Sequence, residues 1–501
     1  MKNIGIKLVL IVALGVFLLS FRLGGNALFL DEVMGLRIAT GSPREVVEQS
    51  LDDVHPPLHF LILNAWTNLG GTSEVSARSL SVVFAALTIV LTYVCARRVL
   101  PEETALFAAL LVAISPYMVL YGRLARYYSL VAFLYLLSVI FLVRACRRRS
   151  LGAWTAYAAA TVLLLYTNYI GLLAIPGCLL YAAWRGRRCL ARYLLALACI
   201  FLAFLPLVPW MVSQSQRFGA AARPEGAVKV VLDIAAKGAY SLYALCLGET
   251  VLFWDAVVVI PAIAMMAFLL VYGLGRTSSS GEEGRRIWLS FCAVPLLCIA
   301  FISSLPFVGV FSARSVALFP ARVVMLAPLA YMVAANGLCR LPRGRRLCLS
   351  AAVAAIFLYS LVNLYSGSGY LNEKYVSPWR DVAQFVETGA GETAFVASRE
   401  AAFWYYYHGG DMEKVRPEGR GRMAGAEAST VWIVDRMRGD TTLGGMPELG
   451  PSFPAGYRLR EVHPFQPLDE RKRSLYARLR GRDAADHYIE VRVYERIDEG
   501  K

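Results

Sequence analysis

This 501-residue chain has no Walker-type phosphate loop, no G-x-S-x-G elbow, no H-E-x-x-H helix and no Cys/His spacing suited to a metal. P-loop nucleotide hydrolysis, serine-hydrolase chemistry and zinc-protease chemistry therefore have no sequence support. Charge is scarce as well: 17% of residues are Asp, Glu, Lys or Arg, and 57% are hydrophobic. A soluble globular domain carries about 25% charged and about 45–50% apolar residues. No cysteine occurs beyond Cys348, and the ten present sit almost entirely in or beside apolar runs. A disulfide framework is accordingly not expected. No A-x-A-like small-residue site follows the first apolar stretch, Gly5 to Phe21, which reads as a retained span and not a cleaved signal peptide.

What is present is a succession of apolar runs of about 20 residues, the length that crosses a hydrocarbon layer as a helix. They recur from Gly5 to about Tyr365 and then stop. Spans are expected near 5–22, 74–96, 104–121, 127–143, 152–167, 169–184, 193–212, 252–273, 287–305, 317–338 and 348–366, eleven in all. The net charge of +15 does not indicate nucleic acid, because the arginines cluster in short loops between apolar runs. Arg97 and Arg98, Arg144 with Arg147 to Arg149, Arg185 with Arg187, Arg188 and Arg192, Arg276 with Arg285 and Arg286, and Arg340 with Arg343, Arg345 and Arg346 fall in every second loop. The positive-inside rule makes those loops cytoplasmic. The N-terminus is then cytoplasmic and the C-terminus extracytoplasmic, in a multi-pass cell-membrane protein.

Three outward segments are long: Arg22 to Ser73, Ser213 to Val251, and everything after Ser366. Loops of such length are uncommon without function or structure of their own. In the first, Leu30 to Ala39 and Leu58 to Leu69 read as two surface helices, the second opened by Pro56 and Pro57. In the second, Val230 to Leu247 reads as a short helix. The tail has strand-like runs at Thr393 to Ser398, Thr430 to Asp435, Tyr457 to Val462 and Tyr488 to Ile497, with helical Asp381 to Thr388 and Glu400 to Tyr407 between them. Arg276 to Gly284, with Ser278 to Ser280, reads as a flexible linker. The expected fold is a polytopic α-helical membrane domain of about eleven transmembrane helices over residues 1–366, followed by a small extracytoplasmic α/β domain over 367–501.

The residues able to carry chemistry are few and fall on the outward face. Asp31 and Glu32 close the first outward crossing, where a carboxylate can serve as general base; Asp31 is equally an N-cap for the helix that follows. Asp52, Asp53 and His55 precede Pro56 and Pro57, so that Asp53 can orient the His55 ring toward an anion, although His55 alone is an ordinary loop residue. Glu74 and Arg78 at the mouth of the second span read as an interfacial ion pair. Arg123, Arg126, Tyr127 and Tyr128 lie on the face opposite the topology-setting arginines. Snorkelling to lipid phosphates and recognition of a substrate phosphate both account for such cations. Arg314 and Arg322 repeat the situation, and Tyr166, Asn168 and Tyr169 add polar groups that an aromatic belt also explains.

The order of these segments, FLDEVMGL, DDVHPPLHF, SEVSARSLSVVF, GRLARYYSL and YTNYIGLL, resembles the GT-C membrane glycosyltransferases of the protein-mannosyltransferase and aminoarabinose-transferase type, family-39-like, over roughly residues 5 to 340. The resemblance implies inverting transfer of a sugar from a polyprenyl phosphate carrier to a glycolipid, glycan or protein acceptor at the outer face. It makes Asp31 the base, with Glu32 beside it. It places His55, Arg123, Arg126 and Arg322 at the donor phosphate, where many relatives carry lysine at the position of His55. Asp53, Arg78, Tyr127, Asn168 and Tyr169 are further substrate-binding candidates. No cofactor is expected, and the acidic residues form no cage for a divalent metal. The partners are the lipid-linked donor, membrane lipids and an acceptor. A flippase for lipid-linked sugars is the first alternative, but transporters place charges at the bilayer midplane on broken, repeated helices. A catalytically inactive sensor or scaffold is the second. The topology carries its own test: a tag at Lys501 is expected to react with impermeant reagents from outside intact cells, and a cytoplasmic tag breaks the eleven-span reading.

Overall fold

The computed structural model describes residues 2–53, 55–148, 150–219, 227–275, 281–304, 320–390, 394–398, 400–408, 430–436, 457–467 and 487–496. Arg149, Arg314 and residues 276–280 of the linker expected over Arg276 to Gly284 fall outside the described residues, and the rest of that linker, from Gly281, is the start of a helix. Contacts divide the chain into two units, one of Met1–Leu23 with Gly35–Leu371 and one of Gly24–Met34 with Asn372–Lys501. The division drawn from hydropathy differs in leaving Gly24–Met34 with the membrane part.

Among the described residues of the first unit, six helices are long and apolar enough to span a membrane: Glu74–Ala96, Tyr128–Arg148, Arg187–Ser213, Ala256–Gly275, Pro320–Cys339 and Arg343–Ser366. The uninterrupted span expected over 104–121 is instead two helices, Glu102–Ile114 and Pro116–Gly122, bent by 56°. Pro116 supplies no N–H to the helix before it, and the Ser115 side chain caps the new one by accepting from the Met118 amide. Shorter apolar helices, Ile4–Ser20, Leu151–Thr167 and Tyr169–Trp184, occupy three more of the expected positions. The run expected as one span over 287–305 is built from Gly281–Trp288, a π-helical turn Leu289–Ala293, and Val294–Ser304. Pro295 cannot donate to the Phe291 carbonyl four residues back, and the Tyr135 hydroxyl donates to that carbonyl instead.

Burial separates helices of similar hydropathy. In the most apolar 18-residue stretch of Pro320–Cys339 and of Tyr128–Arg148, 83% and 78% is buried, against 22% in that of Arg187–Ser213. Val257, Ile260 and Val271 on Ala256–Gly275 point outward, as lipid-facing residues do without penalty. Close approach is made by glycine: a Cβ on Gly273 would stand 2.2 Å from the Val333 carbonyl oxygen, and one on Gly337 would stand 2.3 Å from that of Leu269. The helices Ala256–Gly275 and Ala327–Cys339 therefore meet backbone to backbone.

The segment from Arg22 to Ser73 holds three helices, Leu30–Ile38, Pro43–Asp52 and Leu58–Gly70, where two were expected. The additional one opens with a capping box: the Ser42 side chain accepts from the Glu45 amide, and Glu45 Oε2 accepts from the Ser42 amide at 2.7 Å. It buries Val46 against Ile38 and Phe60. Asp31 is not an N-cap, because the helix begins at Leu30. The helix in the second outward segment is longer than expected, Ala227–Leu247. Cys146 and Cys189 pair as a disulfide with Cα atoms 5.7 Å apart, against the expectation of none. Folding brings the end of Tyr128–Arg148 to the start of Arg187–Phe204, a proximity that cysteine spacing does not encode.

The second unit contains a four-stranded mixed sheet, β1 (Ala394–Ser398), β2 (Thr430–Arg436), β3 (Tyr457–Pro467) and β4 (His487–Arg496), in the order β1-β2-β4-β3. β1 and β2 are parallel and the other two pairings antiparallel, with a bulge between Leu459 and Glu461. β4 buries Ile489, Val491 and Val493 at every second position. Helix Trp379–Gly389 buries Trp379, Val382, Ala383 and Val386 at helical spacing and lays Phe385 against Trp432 and Phe465.

Gly337→Val is expected to push the two glycine-packed helices apart, at a cost of about 1–3 kcal/mol, and to lower the apparent Tm of the purified protein in detergent. Gly344→Ala, where nothing lies within 4 Å of an added Cβ, is the control and should leave it unchanged.

Candidate functional site

Pro57 stands at the N-cap of Leu58–Gly70, and its carbonyl accepts from the Leu61 amide at 3.0 Å. The two prolines hold the preceding residue outside the helix, and that residue is His55. Its ring is buried between two partners: Nδ1 lies 3.1 Å from Asp53 Oδ2, and Nε2 lies 3.3 Å from the Tyr127 hydroxyl. Burial lowers the His55 pKa; the hydrogen bond to Asp53 opposes this, and the positive charges of Arg126 and Arg322 reinforce it. The neutral imidazole then donates from Nδ1 to the Asp53 carboxylate and accepts at Nε2 from Tyr127.

Tyr127 is the junction of the cluster. Its ring lies 4.9 Å from that of His55 and 4.8 Å from that of Tyr128, and the Arg126 guanidinium stands 5.3 Å from its centroid. Arg126 is buried, and its carbonyl accepts from the Ser81 hydroxyl at 3.2 Å. At Gly35 a Cβ would lie 3.7 Å from Arg126 Nη1, so a small residue there leaves the guanidinium its room. From Tyr128 the ring contacts continue through Tyr121 to Tyr117 at 5.1 and 5.2 Å. Tyr121 donates to the buried Glu249 carboxylate, to which Tyr240 also donates at 2.8 Å.

Other residues singled out by sequence do different work. Arg78 is buried and donates to the Leu23 carbonyl at 2.9 Å. Arg123 donates to the carbonyls of Phe21 and Arg22 at 2.7 and 2.9 Å and lies 5.0 Å from the Tyr365 ring. Both arginines thus satisfy carbonyls of the turn that follows the first helix. Asn168 caps the 3-10 turn Tyr169–Ala174, its Oδ1 accepting from the Ile170 amide at 2.9 Å, and Tyr169 is buried with its ring against Phe204. Arg322, on the one-turn helix Pro320–Val323, is half-buried and acts on His55 through its charge.

Asp31 and Glu32 belong to the second unit. Glu32 is buried and accepts from the Phe29 amide at 3.2 Å, the return bond of a helix start. Asp31 remains 41% exposed, with Oδ2 at 3.5 Å from Lys374 Nζ. The Lys374 ammonium also lies over the rings of Phe29 and Tyr375 at 5.4 and 5.1 Å. The two carboxylates are therefore unequal: one supports a helix and the other faces solvent beside a cation. Among the described residues no group of three or more His, Cys, Asp or Glu is arranged to hold a metal ion.

Lys374 and His59 carry no sequence signal. His59, one turn after His55, is 3% exposed, and neither ring nitrogen has a hydrogen-bond partner among the described residues. Burial, with Arg126 and His55 nearby, pushes its pKa down to about 3. In the unfolded chain it titrates near the ordinary 6.5. Between those values the unfolded state binds more protons, so this contribution to stability is fully present above about 6.5 and is lost as the pH falls toward 3. His59→Phe is expected to flatten the fall of apparent Tm over that window. An unchanged slope in a pH series of thermal unfolding curves would contradict the assignment.

Comparison with known proteins bears on both units. Residues 54–212 match the model of the dolichyl-phosphate-mannose-protein mannosyltransferase family. No curated protein matches in sequence. ArnT from Cupriavidus metallidurans in the apo state is similar in fold, with a TM-score of 0.55 at 16% identity over 85% of this chain and 92% of that one. The same enzyme bound to undecaprenyl phosphate gives 0.56 at 15% identity over 97% of each chain. The Archaeoglobus fulgidus oligosaccharyltransferase tethered with an acceptor peptide gives 0.52 at 10% identity, over 99% of this chain and 89% of that one. The protein thus has the GT-C fold of membrane glycosyltransferases, and its segment 54–212 carries the pattern of the dolichyl-phosphate-mannose-protein mannosyltransferase family.

Proposed function

We propose that this protein is an inverting glycosyltransferase that moves a sugar from a polyprenyl phosphate carrier to an acceptor hydroxyl at the extracytoplasmic membrane face. The observation that carries the reading is the buried Arg126 guanidinium, held on the Tyr127 ring within the Asp53–His55–Tyr127 chain and with Arg322 adding charge. A fixed cation in a buried site favours an anion, and a phosphate ester offers a planar guanidinium paired acceptors. The similarity of fold to an enzyme bound to undecaprenyl phosphate agrees with that ligand class.

In this reading the acceptor oxygen attacks the anomeric carbon as the bond from that carbon to the phosphate oxygen breaks. The acceptor proton passes to a carboxylate, and the leaving phosphate gains charge. Arg126, with Arg322, stabilises that growing charge more than it stabilises the ground state. His55 acts mainly by fixing Tyr127, because both its ring nitrogens are engaged. Asp31 takes the acceptor proton: it is the exposed member of the acidic pair, with Lys374 fixing one oxygen. Glu32 supports it by anchoring the helix start.

The test uses the full-length protein in detergent or liposomes with polyprenyl phosphate sugars and a panel of hydroxyl acceptors. Asp31→Asn is expected to lower transfer by about 100-fold or more, the usual worth of general-base assistance, while donor binding stays close to wild type. Arg126→Gln is expected to weaken donor binding by about ten- to a hundredfold, as loss of a charged hydrogen bond does. Full transfer by Asp31→Asn sinks the base, and unchanged donor affinity in Arg126→Gln sinks the phosphate site.

A further inference from the structure

A cavity of about 210 Å³ lies among the 97–101 turn, the start of Glu102–Ile114, the end of Ala256–Gly275, the Gly281–Trp288 helix and the Ala327–Cys339 helix. It contains none of the residues assigned to the donor site. Leu329 and Met332 give it an apolar wall, while Arg285, Trp288, Asn336 and Arg340 bring polar groups to it. No Asp or Glu is among its described lining residues.

Two donor atoms there have no acceptor among the described residues. Arg340 Nη1 and Trp288 Nε1 are both buried atoms, and neither has a hydrogen-bond partner among the described residues. Asn336 differs, since its Nδ2 donates to the Gly273 carbonyl at 2.8 Å. A guanidinium and an indole N–H can only donate, so the partner both lack is an acceptor. The guanidinium charge, with exposed Arg285 at the rim, makes that acceptor an anion, and the fork of Arg340 matches phosphate oxygens. The volume falls below the roughly 300 Å³ at which drug-sized ligand sites begin, and it suits a headgroup whose chains lie along the apolar wall. The turns around the cavity carry Arg97, Arg98, Arg285, Arg286 and Arg340, the clusters read as cytoplasmic, where anionic lipid headgroups concentrate.

We propose that this cavity binds a phosphate-bearing anion through Arg340 and Trp288, on the membrane face opposite the sugar-transfer site. Cys339 lines the cavity and Cys348, exposed and outside its lining, provides an internal reference. Full-length protein, delipidated in an uncharged detergent, is alkylated with a maleimide in the presence of phosphatidylglycerol, phosphatidylcholine or inorganic phosphate, and each cysteine is followed by peptide mass spectrometry. At a phosphatidylglycerol concentration about ten times its Kd, alkylation of Cys339 is expected to slow about tenfold, the 1 + [L]/Kd of a single site, with Cys348 unchanged. Protection by phosphatidylglycerol but not by inorganic phosphate identifies a lipid headgroup; equal protection by inorganic phosphate identifies a soluble anion at the same site. Arg340→Gln and Trp288→Phe, the latter keeping the apolar ring, are each expected to lose protection. The proposal is overturned if no phosphate-bearing probe protects Cys339, if phosphatidylcholine protects it as well as phosphatidylglycerol, if Cys348 slows in parallel, or if both variants retain full protection.

Discussion

Every polar atom that this fold takes into an apolar medium must find its partner inside the protein, and the rest of the membrane unit is arranged around that constraint. Its helices are repeatedly broken, and a break releases carbonyls that lipid cannot satisfy. Tyrosine hydroxyls receive them: Tyr135 donates to the Phe291 carbonyl in the π turn, Tyr117 to that of Pro320 at the start of a one-turn helix, and Tyr243 to that of Val251. Tyr193 donates to Ile175 at 3.0 Å and Tyr331 to Leu245 at 2.7 Å, both at ends of helical segments. The chain's many tyrosines therefore serve less as an interfacial belt than as hydrogen-bond donors carried by bodies that pack as apolar groups.

The same constraint shapes the outward cluster. Arg78 and Arg123 settle on backbone carbonyls at the end of the first helix, which leaves Arg126 as the buried guanidinium associated with the His55–Tyr127 pair. A cation of this kind is costly to bury and acts on whatever shares its environment. Burial lowers the affinity of His55 and His59 for protons, and the Arg126 charge adds to that effect. A site that stabilises a phosphate leaving group benefits from fixed charge whose protonation does not change through the reaction, and a guanidinium meets that need better than an imidazole. Arg340 Nη1 and Trp288 Nε1, which have no partner among the described residues, apply the same rule in reverse, as buried donors that call for an acceptor.

Much of the architecture was legible from hydropathy because the period of apolar residues reports solvent: a run of lipid-facing residues can only be a helix. The breaks at Pro116 and Pro295 were visible as prolines, but their consequences were not, since a proline inside an apolar run either kinks a helix or is absorbed. The tail's strands were legible for the same reason of period, as Ile489, Val491 and Val493 alternate with polar neighbours. Pro43–Asp52 announces itself in sequence only by its capping box, Ser42 with Glu45, and not by a long apolar period. Asp53 and His55 are neighbours in sequence and could be paired by inspection, whereas Tyr127 lies 72 residues from His55. Lys374 and His59 gave no signal, because a lysine in a loop and a histidine on a helix gain meaning only from what surrounds them.

By itself the sequence determined that this chain is a mostly helical membrane protein with several apolar spans and strand-forming runs in its tail, and which residues of its long polar segments could bear charge. Those are properties of local composition and period, set by the solvent each segment must meet. Tertiary structure alone decided that Pro320–Cys339 is an inner helix and Arg187–Ser213 an outer one despite their shared apolar character. It also decided that Arg126 and not Arg123 keeps company with His55, and that Cys146 reaches Cys189. In lipid, apolar residues gain little by turning inward, so hydropathy is silent about which face packs; helix neighbours are chosen by small residues, freed carbonyls and buried charges whose partners lie far away along the chain.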